Sequence, residues 1–395
     1  MSELDLGLKV AARRLLWRMG YTTRLDVALR SVPTAEGIKT QNRAQAFTDL
    51  DVLGLTIGAG FQVQSAIVDC KTSARGSTER MFWVRGVAAF FAADAVYMVR
   101  EHELGDAARQ LAARLGITAL TSEDLTRLED LHQTAVQLDT EPLSWLFDRS
   151  HVSETLSAFG SLDKRLRPLT EYRQFDYWVY EEHRNPLQLV EHVRSVARFL
   201  DSRNPQHLAL VLDLGWLYLL TLSHAVEYVR RSQVSQPDNA LQEYLLGGPL
   251  GLREKRQLSE VLSELQSSGA IPHSVDVATL PPYFPQLREL TFRVLRRPSS
   301  VLKALRQLEV ASALTLGGLS DPSQHAFGED YDQLAAKQAA DVVGFLVTSA
   351  DLDKGFRSRT RSMLLGEGSG GTASASEAGN GGMQPSLLDP PGADQ

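Results

Sequence analysis

Residues 4–19 place Leu4, Leu8, Ala11, Ala12, Leu15, Leu16 and Met19 at helical spacing, with Lys9, Arg13, Arg14 and Arg18 on the rest of the cylinder. Gly20 stops that helix, and residues 21–29 read as an interrupted strand. Residues 31–46 are polar, contain Pro33 and Gly37, and read as a loop or short helix. Two strand-type runs follow, residues 51–57 and 61–69. Between them Gly58-Ala59-Gly60 can supply the positive φ angles of a hairpin turn. After a polar loop at 72–77 the pattern predicts a helix over about 78–93 and a short buried strand over 95–99. It continues with a helix over about 106–115 ending at Gly116 and a strand over 117–120. Thr121-Ser-Glu-Asp124 is a capping box that starts one more helix.

This alternation predicts an α/β domain over residues 1–135. Residues 136–365 differ: long helical patterns, for example 187–200, 257–265 and 301–316, are divided by prolines at 186, 205, 249, 272, 281, 282, 285 and 298. They predict a mainly α-helical second domain that selects a substrate or partner. Residues 366–395 are rich in Gly, Ser, Ala and Pro and predict a disordered tail. The apolar stretch 208–226 carries Asp213 near its middle and His224 near its end. A carboxylate at mid-membrane is costly, so this is read as a buried core helix and no membrane is expected.

Composition narrows the classes. A chain of 395 residues is too long for one ordinary core. A net charge of −7 argues against a protein that coats nucleic acid along its length. The first hundred residues nevertheless hold 13 Lys and Arg against 9 Asp and Glu, enough to meet a polyanion locally. The single cysteine, Cys70, fits a reducing compartment, and residues 1–9 lack a secretory pattern, so a cytoplasmic location is expected. No P-loop, dinucleotide fingerprint or G-x-S-x-G elbow is present, and the histidines show no metal spacing.

The chemistry gathers in Thr48-Asp-Leu-Asp-Val-Leu-Gly54 and Ile67-Val-Asp-Cys-Lys-Thr72. A turn centred on Ala59 pairs residues whose numbers sum to about 118–120, which sets Asp51 opposite residues 67–69. Asp69 and Lys71 are two apart on a strand and share a face. Two carboxylates can hold Mg²⁺, or Mn²⁺, which neutralises charge on a scissile phosphate and activates water. A lysine amine beside them can orient that water or stabilise developing charge, and the Cys70 backbone carbonyl can add a ligand. By spacing alone the set reads equally as a structural ion pair at the end of a sheet.

These segments resemble the restriction-endonuclease-like PD-(D/E)xK nuclease superfamily, in particular its Mrr-like and Holliday-junction-resolvase-like members. The resemblance covers roughly residues 4–130. It comprises the helix ending Leu15-Leu-Trp-Arg-Met-Gly-Tyr21, Asp49-Leu-Asp-Val52, Ile67-Val-Asp-Cys-Lys71, the strand 95–99, and Leu111-Ala-Ala-Arg-Leu-Gly-Ile117 leading to Leu120-Thr-Ser-Glu-Asp-Leu125. It implies an α/β nuclease core in which Asp51, Asp69 and the Cys70 carbonyl hold the metal and Lys71 assists the attacking water. It also implies a magnesium-dependent endonuclease acting on DNA, in defence or repair, with a homodimer suited to cutting both strands. Asp49, Glu79 and Asp5 are additional candidate ligands. Where the family often carries a first-helix glutamate, this chain has Leu8 and Lys9. That departure motivates a second reading: a catalytically weak or inactive nuclease fold that binds nucleic acid or protein.

Arg75, Arg80 and Arg85 follow the second motif and suit phosphate contacts as well as a solvated helix face. Arg13, Arg14 and Arg18 are expected to face solvent. Tyr172, Phe175, Tyr177, Trp178 and Tyr180 are expected to pack as core. Arg253, Lys255, Arg256, Arg288, Arg293, Arg296, Arg297, Lys303 and Arg306 form a basic neighbourhood able to hold duplex backbone if their helices pack together. Residues 257–266 followed by Gly269 have the look of a winged-helix segment.

Overall fold

The computed structural model describes residues 3–31, 45–72, 77–132, 136–232, 236–271, 277, 279–319 and 322–367. The expected disordered tail, except residues 366 and 367, and most of the loop expected at 31–46 lie outside them.

The first part runs α1 (Glu3–Arg18), β1 (Thr22–Arg30), β2 (Ala46–Ile57), β3 (Val63–Lys71), α2 (Ser77–Phe91), β4 (Ala95–Arg100), α3 (Asp106–Leu115), β5 (Thr118–Thr121) and α4 (Ser122–Leu131). The strands form one mixed sheet in the order β1-β2-β3-β4-β5. The first three are antiparallel, and β4 and β5 run parallel to β3. The α4 capping box expected at Thr121 and Asp124 is present. The hairpin pairs Val52 with Val68 and Ile57 with Val63, the upper end of the expected register. Its positive φ falls on buried Phe61, at 64°, and not on either glycine. A Cβ at Gly60 would meet the ends of the Arg230 and Gln62 side chains within 2.7 Å, which these flexible groups can relieve by moving.

The sheet is covered on both faces because its strands alternate apolar side chains to each side. Val52, Ala66, Val68 and Cys70 pack against Leu8, Ala12, Leu15 and Leu16 of α1. Leu53, Leu55 and Ile67 join Met81, Val84 and Ala88 of α2 in a larger cluster that extends to Leu364.

That extension is supplied by the second part: α5 (Glu141–Phe147), α6 (Arg149–Ala158), α7 (Arg167–Glu171), a π turn at Tyr172–Asp176, α8 (Tyr177–Val179), α9 (Asn185–Val196), α10 (Pro205–Ser232), α11 (Pro237–Leu245), α12 (Gly248–Ser267), α13 (Phe284–Leu295), α14 (Pro298–Leu316), α15 (Ser323–Phe327), α16 (Gln333–Ser349) and α17 (Gly355–Leu365). Among the described residues no strand follows α12 that could form the wing of a winged helix. Helix α10 is long and apolar enough to cross a membrane, and 94% of its apolar window is buried inside the protein. Of the aromatic cluster expected to pack as core, Tyr172 and Tyr177 are buried, while Phe175, Trp178 and Tyr180 are half-buried.

Buried polar groups tie the two parts together. Glu309 of α14 accepts from Arg13 Nη2 at 2.8 Å, Thr22 and Thr23 hydroxyls at 2.7 Å each, and the Thr23 amide at 3.3 Å. Trp216 Nε1 of α10 donates to Thr22 Oγ1 at 2.9 Å. Asp213, in the middle of α10, is ion-paired with Arg24 of β1 and with Arg173. Arg24 also lies 3.9 Å over the Trp216 ring. The expectation that Arg13, Arg14 and Arg18 face solvent is corrected: Arg13 is buried on Glu309, while Arg14 and Arg18 both bind Glu129 of α4. An unpaired guanidinium cannot be left in a core, so each has an acidic partner from a distant element. The expected basic neighbourhood is likewise partly consumed. Arg306 donates to the Trp17 and Tyr21 carbonyls at the end of α1, with burial pulling its pKa down to about 10. Arg288, Arg293 and Lys303 bind Asp238, Asp341 and Asp332.

The Asp213 pair makes stability depend on pH. Burial by itself would raise the carboxyl pKa, but Arg173 and Arg24 outweigh it and hold the group below the usual range. A depressed folded-state pKa gives stability that is complete above the unfolded value of about 3.9. That stability is lost as pH falls through the folded value. Urea midpoints of the wild type and Asp213→Asn should therefore differ near neutrality and converge in acid; a gap independent of pH would contradict the pairing.

Candidate active site

The β2–β3 ladder ends at Val52 and Val68, so Asp51 and Asp69 are the next residues on adjacent strands. Past this point β2 no longer supplies a ladder partner for Cys70. The Asp51 side chain takes its place: Oδ2 accepts from the Cys70 amide at 2.8 Å. In an extended strand the N–H and C=O of one residue point to the same flank. The Cys70 carbonyl therefore faces the Asp51 flank of β3. The Cys70 thiol is buried among α1 side chains. Burial, then Asp51 and Asp69, push its pKa well up, so it stays a neutral packing group.

Asp51 and Asp69 are each only 6% exposed, and each is matched by a cation. Asp51 Oδ1 lies 2.8 Å from Lys9 Nζ of α1, which also binds Asp26 of β1. Burial opposes the charge on Lys9, but Asp51 and Asp26 more than compensate, and its pKa is raised. Asp69 accepts from Arg80 of α2, with Nη2 at 2.5 Å and Nε at 3.1 and 3.2 Å from the two oxygens. Buried Arg100, paired with Lys71 in the β3–β4 register, is the next cation near Asp69. Burial lowers its pKa and Asp69 offsets part of that. Lys71 is half-buried and, among the described residues, has no carboxylate within ion-pair distance.

One oxygen from each of Asp26, Asp49 and Asp51 lies within 4.8 Å of the others. The sequence reading named Asp49 and Asp51 but missed Asp26 and Lys9. Lys9 stands in the part of α1 where a glutamate was expected, so its position carried a signal that its charge obscured. Asp26 carries a positive φ of 51°, an uncommon conformation for a residue other than glycine, and sequence alone did not reveal it. Asp5 accepts from Thr72 Oγ1 at 3.1 Å, next to Lys71. Glu79 and Arg85 are exposed on α2, and Glu79 does not join the acidic group. Arg75 lies outside the described residues.

The donors fit a hard divalent cation in kind: carboxylates and a backbone carbonyl, all oxygen. The Lys9 ammonium lies between Asp26 and Asp51 and balances their charge. Compared with protein-family models, curated proteins and solved structures, the chain matches none.

Proposed function

We propose that residues 1–135 form a restriction-endonuclease-like nuclease core that hydrolyses phosphodiester bonds, most naturally in DNA, with Mg²⁺ or Mn²⁺. One observation carries the reading. At the fork where β2 leaves β3, Asp51 and Asp69 are the next residues on adjacent strands and Cys70 and Lys71 follow on β3, within a helix–three-strand–helix–strand order of elements, although Asp69 is not among the carboxylates grouped with Asp51. Asp51, Asp69 and the Cys70 carbonyl would hold the metal, which neutralises charge on the scissile phosphate and lowers the pKa of water when bound. Lys71, which has no carboxylate within ion-pair distance among the described residues, would orient the attacking water or meet charge developing on the phosphate. Arg80 holds Asp69 in position through two nitrogens. Lys9 holds Asp51 in position through an ion pair. The helical part braces β1 from behind, which fixes the strand that carries Asp26. A cytoplasmic role in defence or repair, and a homodimer for cutting both strands, belong to the same proposal.

The test is cleavage of supercoiled plasmid and of linear single-stranded DNA by the full chain. Cleavage with Mg²⁺ or Mn²⁺ and none with EDTA supports the reading; no cleavage with any metal overturns it.

A second reading has its own observation: Lys9 already neutralises Asp51 and Asp26. On that reading the core binds nucleic acid without turnover. Lys9→Gln separates the two by metal binding. If Lys9 competes with the metal, Mn²⁺ should raise the melting temperature of Lys9→Gln more than that of the wild type. An equal shift in both proteins would show that Lys9 does not oppose the metal.

A further inference from the structure

Soluble proteins seldom leave several large aromatic side chains exposed side by side unless the surface meets a partner. Helix α2 does so. Phe82 is 57% exposed, Trp83 38% and Phe90 60%, and Phe47 of β2 is 53% exposed. Trp83 and Phe90 are seven residues apart, two helical turns along one face. Phe90 meets Phe47 edge to face at a centroid distance of 5.7 Å. Gly86 lies four residues from both Phe82 and Phe90, and a Cβ there would meet nothing within 4 Å. A glycine inside a helix costs about 1 kcal/mol relative to alanine; here it leaves an open slot between rings.

Both ends of this row lead back to the candidate active site. Arg80 lies 3.6 Å over the Trp83 ring while its nitrogens bind Asp69. Phe47 precedes Asp51 by four residues on β2. Exposed Arg85 on the same helix offers a cation to a phosphate, whereas Arg80 is already engaged by Asp69.

We propose that the outward face of α2, with Phe47, is a stacking platform for unpaired bases. The substrate of the site is then nucleic acid with single-stranded character. This rests on the nuclease reading and extends it to a substrate class. Rings accept any base because every base has a π face, and the phosphates between stacked bases would meet Arg85. A rigid duplex keeps its bases stacked on one another and gains nothing from the rings.

The experiment measures anisotropy of labelled oligo-dT and of a matched duplex, in EDTA, with the full chain. Trp83→Ala and Phe90→Ala should each weaken oligo-dT binding by about 5- to 150-fold, the range for one stacked base. Duplex binding should stay unchanged. Gly86→Leu fills the slot and adds a better helix former, so it should weaken oligo-dT binding with no loss of melting temperature. Wild-type oligo-dT affinity in all three variants overturns the proposal. So does a fall in solution mass on Phe90→Ala with oligo-dT affinity intact, which would assign the face to a second copy of the chain. Duplex binding without preference for oligo-dT defeats only this inference, whereas a wild type that binds neither defeats the nuclease reading as well.

Discussion

If the proposed nuclease reading holds, Asp69→Asn should lower the initial rate of Mg²⁺-dependent plasmid cleavage by about 10²- to 10⁴-fold, the effect of losing several kcal/mol of metal-borne charge stabilisation. The substitution keeps the shape of a side chain that is almost fully buried. It removes the negative charge that faces Arg80 and Arg100. Lys71→Ala should cost about 10²- to 10³-fold, the range for losing one preorganised group that stabilises developing charge. The double variant should be little worse than the poorer single one, because the groups act as one unit. Arg80→Ala is the informative neighbour. If Arg80 only positions Asp69, the variant loses rate while keeping its metal dependence. Wild-type rates in both Asp69→Asn and Lys71→Ala, with urea midpoints showing intact folds, would remove these residues from the active site.

Glu309→Ala is expected to destabilise the chain by about 3–5 kcal/mol, the cost of removing one partner from a buried ion pair. The size follows from the partners. Arg13, the Thr22 and Thr23 hydroxyls and the Thr23 amide all donate to this one carboxylate. Alanine would leave a buried guanidinium without a counter-charge and three further donors without an acceptor. Because Thr22 and Thr23 begin β1, the damage falls at the seam between the sheet and the helical part. Replacing Arg13 and Glu309 together by apolar residues of similar volume should recover much of the loss, since a buried pair often contributes little beyond an apolar substitute. The two Thr side chains would still lack their acceptor, so recovery is partial. Urea midpoints of wild type, single and double variants measure this. A loss below about 1 kcal/mol would mean that the network is a by-product of packing.

Much of the sheet was legible because its signals are local. Alternation over residues 51–57 and 61–69 with a turn between them set a hairpin within a narrow range of registers, although the positive φ falls on Phe61 and not on a glycine. The observed pairing of Val52 with Val68 lies at the end of the range expected. The capping box at Thr121 and the glycine after α3 are also local and appear where read. The candidate site was legible in its acidic strand residues for the same reason. A D-x-K triplet on a strand shares a face wherever the strand sits.

What surrounds that triplet was not legible. Lys9 looked like part of a polar helix face, and Arg13, Arg14 and Arg18 looked solvated, because a helix pattern distinguishes apolar from charged positions only. It does not show which charged positions a second element will cover. Arg13 is buried by Glu309, 296 residues further along the chain, and Asp213 joins Arg24 to Arg173 from the centre of an apolar helix. The sequence by itself determined most local elements, a narrow range of hairpin registers and the shared strand face of Asp69 and Lys71. Only the tertiary structure decided the environment of those groups: Lys9 on Asp51, Arg80 on Asp69, and the helices closing the back of β1. The physical reason is that a burial cost depends on where distant elements pack, and a buried charge is tolerated only where that packing brings it a partner.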